Sequence, residues 1–117
     1  MKNPSKTFDT YDIVVVPFPF VDSTETKRRP ALVLSSAMGF NNRSGACVMA
    51  MITTASHAPW PCDVEISDLE IAGLPVKSII RMKLFTIDQR LILKRLGTLS
   101  KKDQKNLSTF LKAVLPL

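Results

Sequence analysis

Short apolar runs alternate with polar loops along the whole chain. Residues 11–20, "YDIVVVPFPF", are β-branched and aromatic and predict a strand. Pro17 and Pro19 lack an N–H, which confines the far end of that strand to an edge or a bulge. Residues 21–29 read as a polar loop, and residues 30–36, "PALVLSS", as a second strand opened by Pro30. Residues 37–45 form another loop, with Asn41, Asn42 and Gly45 as turn formers. Residues 46–54, "ACVMAMITT", show little alternation, the pattern of a strand buried on both faces. In residues 62–67, Cys62, Val64 and Ile66 alternate with Asp63, Glu65 and Ser67, which predicts a half-buried strand. A turn with one short helical turn follows at 68–75. Residues 77–87 form a further strand, and residues 88–99 hold one more short strand or a brief helix.

The C-terminus carries the clearest helix. Ser100 stands three residues before Asp103, a capping-box spacing that would satisfy two end N–H groups. Leu107, Phe110, Leu111 and Val114 follow at helical spacing, Lys101, Lys102, Lys105 and Lys112 fall away from that stripe, and Pro116 is a natural stop. Five or six short strands and one terminal helix predict a mainly β fold, a small curled antiparallel sheet or barrel. Residues 1–10 are polar and read as a loose tail, which leaves 11–117 as one domain, enough chain to bury a real core.

Composition narrows the function classes. No apolar run approaches the roughly 20 residues of a membrane helix, and the N-terminus lacks the apolar segment of a signal peptide. A cytoplasmic protein without a membrane partner is expected. Cys47 and Cys62 with a single His, His57, make a poor metal set, so neither a metal nor another cofactor is expected. Charge changes the picture more. Residues 1–76 carry six Lys or Arg against eight Asp or Glu, whereas residues 77–117 carry ten against two. A basic half of this size fits a polyanionic partner, nucleic acid first, and equally a surface kept soluble by its charge.

The candidate chemistry lies at strand ends. Arg29 stands directly before Pro30, behind Lys27 and Arg28. Its planar fork can hold a phosphate through two N–H bonds, although an Arg beside a strand is more often a solvated end. Thr53, Thr54, Ser56 and His57 cluster where the third strand ends. If the second and third strands pair antiparallel, Arg29 and Thr53 come near one another. Such a set offers charge stabilisers without a strong nucleophile. It suits RNA cleavage by the substrate's own 2′-OH, where the enzyme aligns the attack, stabilises the phosphorane and moves two protons. Thr53 can as readily satisfy its hydroxyl on the backbone, and His57 can be a surface histidine, of a type eligible as acid or base. Trp60, between Pro59 and Pro61, could stack a base or cap a core.

The ordered series "DIVVVPFPF", "RRPALVLSS", "FNNRSGACVMAMITT", "VEI", "KLFTID" and "GTLS" resembles the MazF/PemK (Kid-like) toxins of type II toxin–antitoxin modules. The likeness spans residues 11–115, and "RPALVLS" followed about twenty residues later by "ITT" is its most specific part. It implies an SH3-like antiparallel β-barrel with short helices and a C-terminal helix, a homodimer, and a metal-independent endoribonuclease. Such enzymes cut single-stranded RNA at short sequences, leave 2′,3′-cyclic phosphate and 5′-OH ends, and are inhibited by a cognate antitoxin with which they bind DNA. The family's catalytic Arg before Pro falls on Arg29 and its strand-ending hydroxyl on Thr53. Lys27, Arg28, Thr54, Ser56, His57, Arg81 and Lys83 are the matching RNA-binding candidates. This chain has Met82 and Lys83 where an acidic or amide residue is common, Phe85 where an Arg often precedes "TID", and Tyr11 in place of a Gly. Glu25, Asp22 or His57 would then supply acid and base. Two other readings share the fold: a non-nucleolytic CcdB-like gyrase poison, and a catalytically weak RNA-binding relic.

Overall fold

A computed structural model describes residues 7–18 and 27–117. Six strands form one antiparallel sheet: β1 (Asp12–Phe18), β2 (Lys27–Val33), β3 (Ala46–Thr54), β4 (Val64–Glu65), β5 (Ser78–Asp88) and β6 (Lys94–Thr98), in the order β4-β5-β3-β2-β1-β6. The sheet curls into a half-barrel, as the pattern of short strands predicts. Among the described residues three α-helices join it, besides other helical turns: α1 (Asn42–Ser44), α2 (Leu69–Ala72) and the C-terminal α3 (Lys101–Val114). No helix among the described residues is long and apolar enough to cross a membrane.

The central strands bury both faces. One core gathers Ile13, Leu32, Ala50, Ile52, Val64 and Ile80 under Leu99 and Leu107. The other gathers Phe8, Val14, Val16, Ala31, Val33, Cys47, Met49, Ile87 and Ile92. Neighbouring residues such as Ile13 and Val14, or Met49 and Ala50, belong to opposite cores, as the period of a strand demands. This double burial is why "ACVMAMITT" lacks polar alternation. Burial also raises the Cys47 thiol to about 11, so this cysteine stays a neutral, inert core residue.

Several local expectations are corrected. Lys27, Arg28 and Arg29 are not loop residues; they pair with Phe18, Pro17 and Val16 of β1. The strand ends at Val33, because the Ser36 hydroxyl caps a helical turn at Ala37–Asn41 by accepting from the Gly39 N–H at 2.7 Å. Residues 37–44 are therefore helical turns rather than open loop. Asn41 is no exposed turn former: it is fully buried, and its Nδ2 donates to the Phe8 carbonyl at 2.8 Å and the Ser35 carbonyl at 3.1 Å. Of residues 1–10, read as a loose tail, 7–10 are described. Phe8 is 4% exposed and packs into the second core, so the chain is tied down from there. The strand expected at 62–67 shrinks to Val64–Glu65, since Cys62 sits at φ 64°, a left-handed conformation that breaks extended backbone. Residues 88–99 contain both a turn, Gln89–Leu91, and β6.

Helix α3 is capped on one side only. The Ser100 hydroxyl accepts from the Asp103 N–H at 3.2 Å. The Asp103 carboxylate does not return to Ser100 as a capping box would. It is fully buried and accepts from the Ser67 N–H and Ser67 hydroxyl, each at 2.8 Å. The lost half of the box becomes a tether between α3 and the segment after β4. Of the apolar stripe, Leu107 enters the core while Phe110 and Val114 stay exposed.

The helix α2 and strand β6 approach without room for a side chain. A Cβ on Gly97 would stand 2.3 Å from the Ile71 carbonyl oxygen, and one on Gly73 would stand 2.2 Å from that of Leu96. Gly97→Ala is expected to destabilise the protein by about 1–3 kcal/mol, because backbone must move to admit the methyl group. A urea midpoint unchanged from wild type would refute this close approach.

Candidate functional site

The second face of the sheet does not stay covered along its length. Beyond Ala31 and Met49 the apolar lid ends, and a cleft of about 300 Å³ opens, lined by Phe18, Arg29, Met51, Ile52, Thr53, His57, Arg81, Lys83, Leu84 and Phe85. Register explains who meets there. Val16 pairs with Arg29, Ala31 with Met51, and Met51 with Arg81. Continuing the β2–β3 register two residues past Ala31–Met51 sets Arg29 level with Thr53, as antiparallel pairing predicts.

The fourth contribution comes from a bulge. Ala50 pairs with Leu84 but the next residue, Met51, pairs with Arg81. One step on β3 thus spans three on β5, and Met82 and Lys83 are the extra residues. Bulges re-aim side chains at sheet rims, and this one brings Lys83 to the cleft. Nothing in the hydrophobic pattern of "KSIIRMKLFTI" marks it; the two central positions read as ordinary strand.

Arg29 and Arg81 meet different surroundings. The Arg29 Nε is buried and has no hydrogen-bond partner among the described residues. Its guanidinium carbon lies 5.8 Å from the Phe18 ring centroid, a cation–π contact. A buried donor left without a partner is costly, and a ligand oxygen would relieve that cost. Arg81 is 8% exposed and engaged: Nε donates to Asp63 Oδ1 at 3.2 Å, and Nη2 donates to Asp63 Oδ2 at 2.9 Å and the Ala58 carbonyl at 2.7 Å. The Arg81 hydrogen bond holds the Asp63 carboxyl below its ordinary range. Arg81 therefore braces the loop after β3 rather than reaching outward. Asp63, read from the sequence as a solvent-facing strand residue, was missed as its partner. Only the folding of the 55–63 loop across β5 brings the two together.

The remaining predicted site residues divide. Thr53 is half-buried and His57 exposed, and both line the cleft. Thr54 and Ser56 share a 2.9 Å hydroxyl hydrogen bond in a neighbouring depression with Ala55, Val76 and Lys77, outside the cleft. Lys27 and Arg28 are exposed on β2. Alternation sets Lys27 on the face of Arg29 and Arg28 on the opposite face. Asp22 and Glu25 lie outside the described residues. Lys83 is exposed, with Nζ 4.7 Å from the Trp60 ring centroid.

Residues 9–115 match the model of a family described as PemK-like, MazF-like toxin of type II toxin–antitoxin system. The chain belongs to this toxin family. Solved structures agree with the fold. The MazF of Deinococcus radiodurans (form I) superposes with a TM-score of 0.75 at 21% identity, over 97% of this chain and all of that one. The MazE–MazF complex of the same organism (form II) gives 0.74 at 20% identity, over 97% of this chain and 99% of that one. An endoribonuclease in complex with its cognate antitoxin, from a mycobacterial species, gives 0.70 at 17% identity over 95% of both chains. No curated protein sequence matches. In this chain Arg29, directly before Pro30, carries the Nε that has no partner among the described residues, and Met82 and Lys83 form the bulge.

The Asp63–Arg81 pair gives a pH-dependent signature. A carboxyl held below its unfolded value stabilises the fold fully above about pH 4 and loses that contribution as pH falls toward its folded value. Asp63→Asn is expected to lower the urea midpoint at pH 7, and the gap from wild type should narrow below about pH 4. A gap that is constant with pH would show that the pair contributes nothing through its charge.

Proposed function

We propose that this toxin is an endoribonuclease that cuts single-stranded RNA by attack of the substrate's 2′-OH, without a metal. The observation that carries the reading is the buried Arg29 Nε, without a hydrogen-bond partner among the described residues, in a cleft shared with Thr53 and His57. In the reaction the 2′ oxygen bonds to phosphorus, the bond to the 5′ oxygen breaks, and a 2′,3′-cyclic phosphate and a 5′-OH result. Arg29 neutralises the charge that builds on the non-bridging oxygens, a role that gains from a low-dielectric floor such as Phe18, Met51 and Phe85 supply. Thr53 donates a hydrogen bond to one of those oxygens. His57 takes part in the proton transfers, removing the 2′ proton or protonating the leaving oxygen. Lys27, on the same strand face as Arg29, holds the RNA backbone. The partners are single-stranded RNA and a cognate antitoxin, the working unit is a homodimer, and the compartment is the cytoplasm.

Incubation of a long single-stranded RNA with the toxin in a metal chelator, followed by mapping of the ends, tests this. Cyclic phosphate ends are expected. Arg29→Ala is expected to slow cleavage by about 10²–10³-fold, the usual loss of one transition-state charge stabiliser. Intact RNA together with inhibited DNA supercoiling would replace this reading with that of a gyrase poison. His57→Gln is expected to cost about 10²-fold or more in rate while leaving RNA affinity unchanged. An unaltered rate and pH profile would remove His57 from the mechanism.

A further inference from the structure

Trp60 occupies a position that packing alone does not explain. It is 43% exposed, yet its backbone N–H and carbonyl are both hydrogen-bonded to Asp63. The Trp60 N–H donates to Asp63 Oδ2 at 2.8 Å, and the Asp63 N–H donates back to the Trp60 carbonyl at 3.3 Å. Arg81, in turn, grips Asp63 and the Ala58 carbonyl. Pro59 and Pro61 restrict the backbone on either side. The ring itself lies against two cations, with Lys83 Nζ at 4.7 Å and Arg81 Cζ at 5.6 Å from its centroid. An aromatic plane has been immobilised while much of its surface stays in water. Lys83 both touches this ring and lines the cleft of Arg29, Thr53 and His57, so the indole borders the cleft.

We propose that Trp60 and Lys83 form a nucleotide subsite beside the cleft, and that it helps determine which RNA sequences are chosen. A nucleobase stacks on the open part of the indole, and the ammonium of Lys83 holds a phosphate of the same strand. The rigid loop means that little ordering entropy is lost when the base docks. The cations at Trp60 differ in role: Arg81, bound to Asp63 and Ala58, fixes the platform, while exposed Lys83 is available to the backbone. The Met82–Lys83 bulge, which departs from the family's usual acidic or amide residue, thereby serves recognition. The proposal rests on the RNA-cleavage reading for its substrate class.

Because Trp60 is the sole tryptophan of the chain, its fluorescence reports on this site alone. The probe is a single-stranded RNA oligonucleotide with 2′-O-methyl groups throughout, which has no nucleophile and cannot be cut. Saturable quenching is expected on titration, and removal of one base at a single position should abolish it. Trp60→Ala should weaken binding about tenfold, Trp60→Phe should keep most of the affinity, and Lys83→Ala should lower the salt dependence of binding by about one phosphate contact. Quenching that is indifferent to every base removal would overturn the proposal, as would Trp60→Ala binding as tightly as wild type. If Trp60→Ala cuts RNA at the same sites with the same affinity, the subsite is wrong and the nuclease reading stands. If the oligonucleotide quenches Trp60 by base-dependent binding while no RNA is cut, the subsite stands and the nuclease reading falls.

Discussion

The register of β2 between β1 and β3 is the constraint on which the rest depends. Because Val16 meets Arg29 and Ala31 meets Met51, one face of the central sheet runs from buried aliphatic side chains directly into a guanidinium. A slip of one residue would turn Ala31 and Val33 into the opposite core, put Pro30 and Leu32 in their places, and set Arg28 rather than Arg29 at the cleft. Burial on both faces forbids that slip, since the opposite core needs Leu32 just as the near one needs Ala31 and Val33. The position of Arg29 is thus secured by its place in the strand pairing and by hydrophobic burial on two sides, rather than by a side-chain hydrogen bond among the described residues.

That arrangement separates cations by function. Arg81 comes from β5 and lines the same cleft, but Asp63 and the Ala58 carbonyl take up its Nε and Nη2 donors and make it a brace. Arg29 retains a buried Nε with nothing to bond among the described residues. The proposed role of Arg29 rests on this contrast, since a buried N–H without a partner favours an incoming oxygen. Lys83 belongs to neither class, because the bulge of β5 carries it out against Trp60. A braced cation, a cation with a buried Nε unpaired among the described residues, and an outward cation thus stand within one short span of sheet.

The family to which the chain belongs gives this division its context. Toxins of this class are paired with an antitoxin, and solved relatives include such complexes. Phe110 and Val114 on α3 form an apolar strip that the other described residues leave exposed. The low identity to the solved relatives, near 20%, leaves the fold as what they share.

Much of the fold was legible in the pattern of residues. Strand identity followed from β-branched runs, α3 from its apolar spacing and Ser100, and the third strand's double burial from its missing alternation. These are local or periodic properties, and the hydrophobic effect reads them directly. The ordered toxin motifs pointed to Arg29 and Thr53, and antiparallel pairing to their proximity. What the sequence could not determine depended on contacts between distant segments. The Asp63–Arg81 pair, Asn41 beneath Phe8, the turn of Asp103 toward Ser67, and the Met82–Lys83 bulge all arise where one segment crosses another. Their residue types looked like ordinary surface, turn, cap and strand, because the partner that redirects each lies 18 or more residues away or, for the bulge, in the facing strand. Sequence alone thus determined the main strands, the C-terminal helix and a cation directly before Pro30. Only the tertiary structure decided which cations are bound and which remain open to a ligand, since hydrogen-bond partners are assigned by three-dimensional proximity.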